Sequence, residues 1–196
     1  MQIVAHRVNT VIALKNTPNN LGVEVDIRSW GKQLIVQHEP FVTGEDLSQW
    51  LKEYKHRLLV LNIKEEGIEN CVKSIVESQG IQDYFFLDLS FPFLIKIVNS
   101  GEKRVALRFS EFESIETVLA LKGKADWVWV DSFSSIPLTE NNFKLLNKHF
   151  KIALASPELH SDKIEAISKA KTQLKGLAID AVCTKRPDLW AEMSNK

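Results

Sequence analysis

The sequence predicts an α/β protein: a compact (β/α)8 TIM-type barrel with truncated helices. Three observations predict it. Short apolar runs recur along the 196 residues. Stretches with helical spacing separate several of these runs. The runs themselves are almost continuously apolar, as strands buried on both faces of a parallel, helix-covered sheet must be.

The strand candidates are residues 3–5, 22–27, 33–37, 57–63, 84–89, 104–109, 126–130, 151–155 and 176–183. Runs 22–27 and 33–37 are close enough to be neighbouring pieces of one β-layer, which leaves about eight strand positions and favours a closed barrel over an open doubly wound sheet. Helical periodicity places Leu47, Trp50, Leu51 and Tyr54 on one face, and Ile68, Cys71, Val72, Ile75 and Val76 on another. Phe93, Leu94, Ile97 and Val98 repeat the pattern, as do Ile115, Val118, Leu119 and Leu121. Two further sets are Phe143, Leu145, Leu146 and Phe150, then Ile164, Ile167, Ala170 and Leu174. The chain is short for such a barrel, so helices must be cut down. The clearest case is the interval 10–22, which contains the loop-like run Asn16-Thr17-Pro18-Asn19-Asn20.

Composition narrows the function. Apolar residues make up 44% and charged residues 26%, ordinary values for a soluble globular chain expected to form one domain over 1–196. Lys+Arg and Asp+Glu both total 25, so the net charge is zero, which argues against a general binder of nucleic acid or anionic membrane. Cys71 and Cys183 stand in no metal-ligand spacing and read as buried thiols in a reducing compartment. The start, Met1-Gln2-Ile3-Val4-Ala5-His6-Arg7, enters a strand without signal-peptide features, and no apolar run reaches the length of a membrane span. These readings together lead to a cytoplasmic expectation without stable membrane insertion.

Chemistry in such a barrel sits at the C-terminal strand ends. Glu24-Val25-Asp26 is the most informative run there, because residues i and i+2 of a strand share a face, so two carboxylates project together from an apolar strand. Their repulsion and desolvation call for a compensating cation, and a hard divalent metal prefers oxygen ligands. A strand end with both acids in water is the plainer alternative. His6 and Arg7 end the first strand, and His38 follows the run 33–37. Asn62 and Lys64 share one face at the end of 57–63. Asp88 and Ser90 end the fourth strand, Arg108 the fifth, and Trp129 with Asp131 the sixth. Each has a structural explanation alone, and Trp127 and Trp129 suit core packing or, for Trp129, a cavity wall. Barrel closure would gather them around one cavity. That set suits phosphoryl chemistry: a carboxylate-bound cation polarises a phosphoryl oxygen, Lys64 with Arg7 or Arg108 neutralises the others, and two histidines move protons.

These residues carry a resemblance. Ala5-His6-Arg7, Glu24-Val25-Asp26, Val36-Gln37-His38-Glu39-Pro40, Leu61-Asn62-Ile63-Lys64 and the run 179–187 resemble, in order, motifs of the glycerophosphodiester phosphodiesterases. That family lies within the phospholipase-C-like phosphodiesterase superfamily. His6-Arg7-Val8-Asn9 is also similar to the His-x-Val-Asn of sphingomyelinase D enzymes. The resemblance implies that His6 and His38 are the acid/base pair. It implies that Glu24 and Asp26, with Asn62 at the third position, hold Mg²⁺ or Ca²⁺. Arg7 and Lys64 would contact the phosphate, and strand-end placement, apart from the resemblance, adds Arg108 and Trp129 as substrate-binding candidates. The substrate would be a small or lipid-like phosphodiester.

Three departures qualify the implication. Asn62 stands where a third carboxylate is usual and brings a carbonyl oxygen without charge. Glu39 replaces an Asp after the second histidine. The first helix and the segment after His38 are short. A non-catalytic descendant that binds a phosphate ester or a protein partner therefore stands beside the enzyme. A third reading, an unrelated (β/α) protein with coincident motifs, would place the two histidines far apart.

Overall fold

The computed structural model describes residues 1–161 and 163–191. Strands and helices alternate from end to end. β1 (Gln2–Ala5) leads to α1 (Val11–Asn16), and β2 (Gly22–Trp30) is followed by the short strands β3 (Gln33–Val36) and β4 (Glu45–Asp46) and by α2 (Leu47–Lys52). Then come β5 (Leu59–Ile63), α3 (Glu69–Ser78), β6 (Tyr84–Leu87), α4 (Phe91–Asn99), β7 (Ala106–Phe109) and α5 (Ile115–Leu119). The chain continues through β8 (Trp127–Val130), α6 (Glu140–Leu146), β9 (Lys151–Ala155), α7 (Glu158–Ser161), α8 (Glu165–Gln173), β10 (Ala181–Thr184) and α9 (Pro187–Ala191). Without β3 and β4 this is the element order of a (β/α)8 chain, and helices such as the six-residue α1 and the five-residue α5 are as short as expected.

The chain divides into two compact units. One is Ala5–Ile97; the other joins Met1–Val4 to Val98–Lys196. In the first, β2 is parallel to β5, with Asp26 opposite Asn62, and β5 is parallel to β6. The outer half of β2 turns back through Gly31 into antiparallel β3, placing Ile27 opposite Val36. Gly31, at φ +62°, takes the left-handed position of this two-residue turn without steric cost. Val23, Val25, Ile27, Leu59 and Leu61 are wholly buried, so one side of β2 is core while Glu24 and Asp26 occupy the other. Trp50 is buried and its indole N–H donates to Val8 O at 3.1 Å, tying α2 to the segment after β1.

In the second unit β10, β9, β8 and β7 run parallel in that order, with Val182 opposite Leu154 and Val130 opposite Leu154 on its other side. Gln2 N donates to Asp180 O at 2.6 Å, attaching β1 to this set. Val128, Val130, Ile152, Leu154 and Val182 fill its core.

One expectation needs correction. Cys71 is exposed, because α3 turns that position away from its buried stripe of Val72 and Val76; Cys183 is buried as expected. Trp30 ends β2 and is exposed. No helix among the described residues is long and apolar enough to cross a membrane.

Candidate functional site

The Ala5–Ile97 unit gathers most of the polar strand-end residues into one network. Glu24 and Asp26 are buried on one side of β2, at 1% and 0% exposure. Glu24 Oε2 accepts the backbone N–H of Arg7 at 2.7 Å, and Oε1 accepts from Asn62 Nδ2 at 2.8 Å. His6 Nε2 stands 3.8 Å from Glu24 Oε2. Asp26 is gripped by Asn9, whose Nδ2 donates to Oδ2 at 2.7 Å while its Oδ1 accepts the Asp26 N–H at 3.0 Å. Lys64 Nζ lies 3.4 Å from Asp26 Oδ1 and 3.3 Å from Asp88 Oδ2, and Arg7 Nε is 3.9 Å from Asp26 Oδ2.

Burial, with the charge of Asp26 beside it, pushes the Glu24 carboxyl up to about 7; the Arg7 N–H, Asn62 and Lys64 oppose the rise. Glu24 is thus held close to the point where it keeps its proton.

His38 joins from β3. Gln37 N donates to Asp26 O at 3.0 Å, which fixes the start of this segment against β2. Arg28, next along the Glu24/Asp26 face, donates through Nε to His38 O at 2.9 Å and through NH1 to Lys64 O at 3.0 Å. The His38 ring lies between an obligate donor and an acceptor: Arg7 NH2 is 2.6 Å from Nε2, and Glu39 Oε1 is 2.6 Å from Nδ1. A guanidinium can only donate, so Nε2 accepts and Nδ1 carries the hydrogen that goes to Glu39. That bond holds the Glu39 carboxyl below its usual range.

Backbone strain falls in the same region. The non-glycine residues with left-handed φ are Arg7 (54°), Phe41 (61°) and Asp88 (59°) among the described residues. Such conformations cost about 1 kcal/mol or more each and collect where geometry serves function. Arg7 illustrates the gain, since the left-handed turn aims its backbone N–H at Glu24 while its side chain reaches His38.

The oxygens present fit a hard divalent cation. Asp26 Oδ1 and Asn62 Oδ1 are buried without a hydrogen-bond partner among the described residues, and β2 and β5 place the two residues in register beside Glu24. Buried oxygens with unused lone pairs, next to a carboxyl raised by burial, are what Mg²⁺ or Ca²⁺ would satisfy. No cluster of three His, Cys, Asp or Glu suited to a metal occurs among the described residues; at the third position stands the amide of Asn62. Asp88 does not fill that place here: it accepts from Lys64.

Arg108 and Trp129 belong to the other unit. Arg108 is paired with Asp131 and Glu113, and His160 Nε2 holds the second Asp131 oxygen at 2.7 Å. Trp129 is buried, in keeping with its core-packing alternative. Asn9, Arg28 and Glu39 have firmer places in the network than sequence reasoning gave them. The signal was available in part: Asn9 closes the His-x-Val-Asn run, Arg28 shares the acidic face, and Glu39 adjoins His38.

Comparison with known proteins rests on structure alone. No protein-family model matches the chain, and no curated protein matches it. Among solved structures, a glycerophosphodiester phosphodiesterase from Agrobacterium tumefaciens str. C58 superposes with a TM-score of 0.73 at 16% identity, covering 100% of both chains. One from Parabacteroides distasonis ATCC 8503 gives 0.68 at 12% identity, covering 98% of this chain and 95% of that one. The fold is that of the glycerophosphodiester phosphodiesterases. A mutant tryptophan synthase alpha-subunit from Pyrococcus furiosus, another TIM-type barrel, also matches, at a TM-score of 0.52 and 14% identity over 97% of this chain and 90% of that one. The α/β barrel expected from the strand and helix pattern is therefore the fold observed, and the glycerophosphodiester phosphodiesterase fold supplies the frame in which His6, Glu24, Asp26, His38 and Lys64 stand.

Proposed function

We propose that this chain is a metal-dependent phosphodiester hydrolase acting on a small or lipid-like phosphodiester. The observation that carries the reading is one connected network: Glu24 and Asp26 buried together, His6 facing Glu24, and His38 tied through Arg7 to the same carboxylates. The likeness to glycerophosphodiester phosphodiesterase structures supports it at the level of the fold. Glu24, Asp26 and Asn62 are the residues that would hold Mg²⁺ or Ca²⁺. The bound cation would polarise a phosphoryl oxygen and neutralise part of its charge.

His38 acts as the base. Its Nε2 is an acceptor and Glu39 steadies the opposite nitrogen, so the ring can take a proton from the attacking hydroxyl once Arg7 moves from Nε2 to a phosphate oxygen. His6 gives a proton to the departing alcohol oxygen as the phosphorus–oxygen bond to it breaks. Lys64, held by Asp26 and Asp88, presents its ammonium to the remaining phosphoryl charge. Whether the attacking hydroxyl belongs to water or to the substrate, which would leave a cyclic phosphate, depends on the substrate.

The test is hydrolysis of bis(p-nitrophenyl) phosphate and a phosphodiester panel with Mg²⁺, Ca²⁺ and Mn²⁺. Turnover that needs metal and is lost in His6→Ala and His38→Ala is expected. No turnover with any metal, or activity unchanged in both variants, would sink the reading.

A second reading is a non-catalytic barrel that binds a phosphate ester. Asn62 favours it, since its neutral amide donates to Glu24 where a third acid would add charge. Phosphate-ester binding without turnover, with hydrolysis appearing in Asn62→Asp or Asn62→Glu, would select this reading over the first.

A further inference from the structure

In the unit that joins Met1–Val4 to Val98–Lys196, a cavity of about 430 Å³ lies between the loop 131–139 and helix α8. Glu111 holds that loop in shape. Its Oε1 accepts the N–H groups of Ser134 and Ser135 at 2.5 and 3.0 Å, and its Oε2 accepts that of Phe133 at 3.2 Å. At the end of α8, Gln173 Nε2 donates to Ile136 O at 3.0 Å, so loop and helix are tied to each other. α8 lines the cavity with Ala166, Lys169, Ala170 and Gln173, the i, i+3, i+4 and i+7 positions of one helical face. The two alanines leave space there that larger side chains would fill.

Ser132 is the residue that points to a ligand. It lines the cavity and is only 6% exposed, and its Oγ is buried with no hydrogen-bond partner among the described residues. The serines around it are provided for: Ser134 Oγ donates to Glu111 and Ser161 Oγ to Pro157 O. A buried hydroxyl without a partner is costly and is retained where something polar can reach it.

The lining selects the chemistry. Lys163 and Lys169 bring two ammonium groups, and no acidic side chain lines the cavity among the described residues. Ammonium groups donate and cannot accept. With the Ser132 hydroxyl they offer donors to whatever fills the space, which suits an anion rich in acceptor oxygens. A phosphate monoester carries about −1.5 to −2 charges at neutral pH on three such oxygens and so matches two ammonium groups; a carboxylate carries a single charge. Phe133, Ile136 and Pro157, with the two alanines, supply an apolar wall for a carbon chain.

We infer that this cavity binds the phosphate monoester of a short aliphatic alcohol, with Lys163 and Lys169 matching its charge and the Ser132 hydroxyl donating to a phosphate oxygen. The inference stands without the hydrolase reading, because every residue it uses lies in Val98–Lys196.

The experiment is an NMR titration of the full chain with n-butyl phosphate, compared with inorganic phosphate, pentanoate and butan-1-ol. Butyl phosphate is expected to shift the amide signals of residues 132–136 and 166–170 saturably, and each of the other three to bind less well. In the double variant Lys163→Gln/Lys169→Gln the apparent affinity should fall by about tenfold or more, the scale of lost charge-assisted contacts. Both lysines are exposed, so replacing them spares the core. Ser132→Ala should also weaken binding while leaving the Tm unchanged or higher, since it removes a hydroxyl that makes no bond in the protein. His38→Ala, which removes the proposed base, should leave these shifts in place, so failure of the hydrolase reading and failure of this site are read apart. No saturable shift with butyl phosphate, equal binding of inorganic phosphate, pentanoate or butan-1-ol, or unchanged affinity in the double lysine variant or in Ser132→Ala would overturn the inference.

Discussion

His38 shows how one residue acquires a role from its partners. The same side chain at a strand end could be a structural histidine. Here Arg7 makes Nε2 an acceptor and Glu39 holds the opposite nitrogen, the arrangement that the proposed base would need. Replacing His38 by Ala should lower turnover by about 10²–10⁴-fold, the usual worth of a positioned acid or base, in steady-state assays of the phosphodiester panel. Glu39→Gln should retain folding yet lower the rate by a smaller factor and displace the basic-group limb of the pH–rate profile, because the amide keeps an acceptor without its charge. Asn62→Asp is the opposite kind of change. It adds a carboxylate beside Asp26 Oδ1, which no hydrogen bond occupies, and should tighten divalent-cation binding by about tenfold or more, measured by calorimetry.

The elements explain why these residues meet. β2 needs period-two alternation to keep Val23, Val25 and Ile27 in the core and Glu24 and Asp26 opposite, and that alternation is visible in the sequence. β3 brings His38 back beside Asp26, and the return depends on a close approach at Gly44. A Cβ there would lie 2.2 Å from Val36 O, so the loop after His38 folds onto β3 only without a side chain. Gly44→Ala should displace the His38 loop, lowering stability by about 1–3 kcal/mol in denaturant unfolding and lowering turnover as well. The parallel strands and longer helices were legible from apolar runs and helical spacing. β4, α7 and α9 were not, because a two-residue strand and short helices without an apolar set at helical spacing show no period.

At the scale of the whole molecule the buried pair couples stability to pH. Glu24 has its folded-state pKa raised from 4.5 to about 7. In the folded state the protonated form is favoured, so the stability tied to this group is fully present below its ordinary value. It is lost as pH rises through the interval up to about 7. A divalent cation held by the ionised pair, as proposed, would reverse the loss. Thermal melts should therefore show Mg²⁺ or Ca²⁺ raising Tm more at pH 8 than at pH 5; an equal shift at both would contradict a cation bound at Glu24 and Asp26.

The sequence by itself determined the class of the fold, because burial on both faces and helical spacing are written in residue order. It also singled out the ordered candidate set of His6, Glu24, Asp26, His38, Asn62 and Lys64, because strand geometry puts alternate residues on one face and these polar groups fall at strand ends. Only the tertiary structure decided which of these groups touch. Hydrogen-bond partnership depends on distance and direction across segments far apart in the chain, and no local pattern encodes that. The grip of Asn9 on Asp26, the hold of Glu39 and Arg7 on His38, and the neutral amide of Asn62 against Glu24 are such contacts. So is the separate engagement of Arg108 with Asp131 and Glu113.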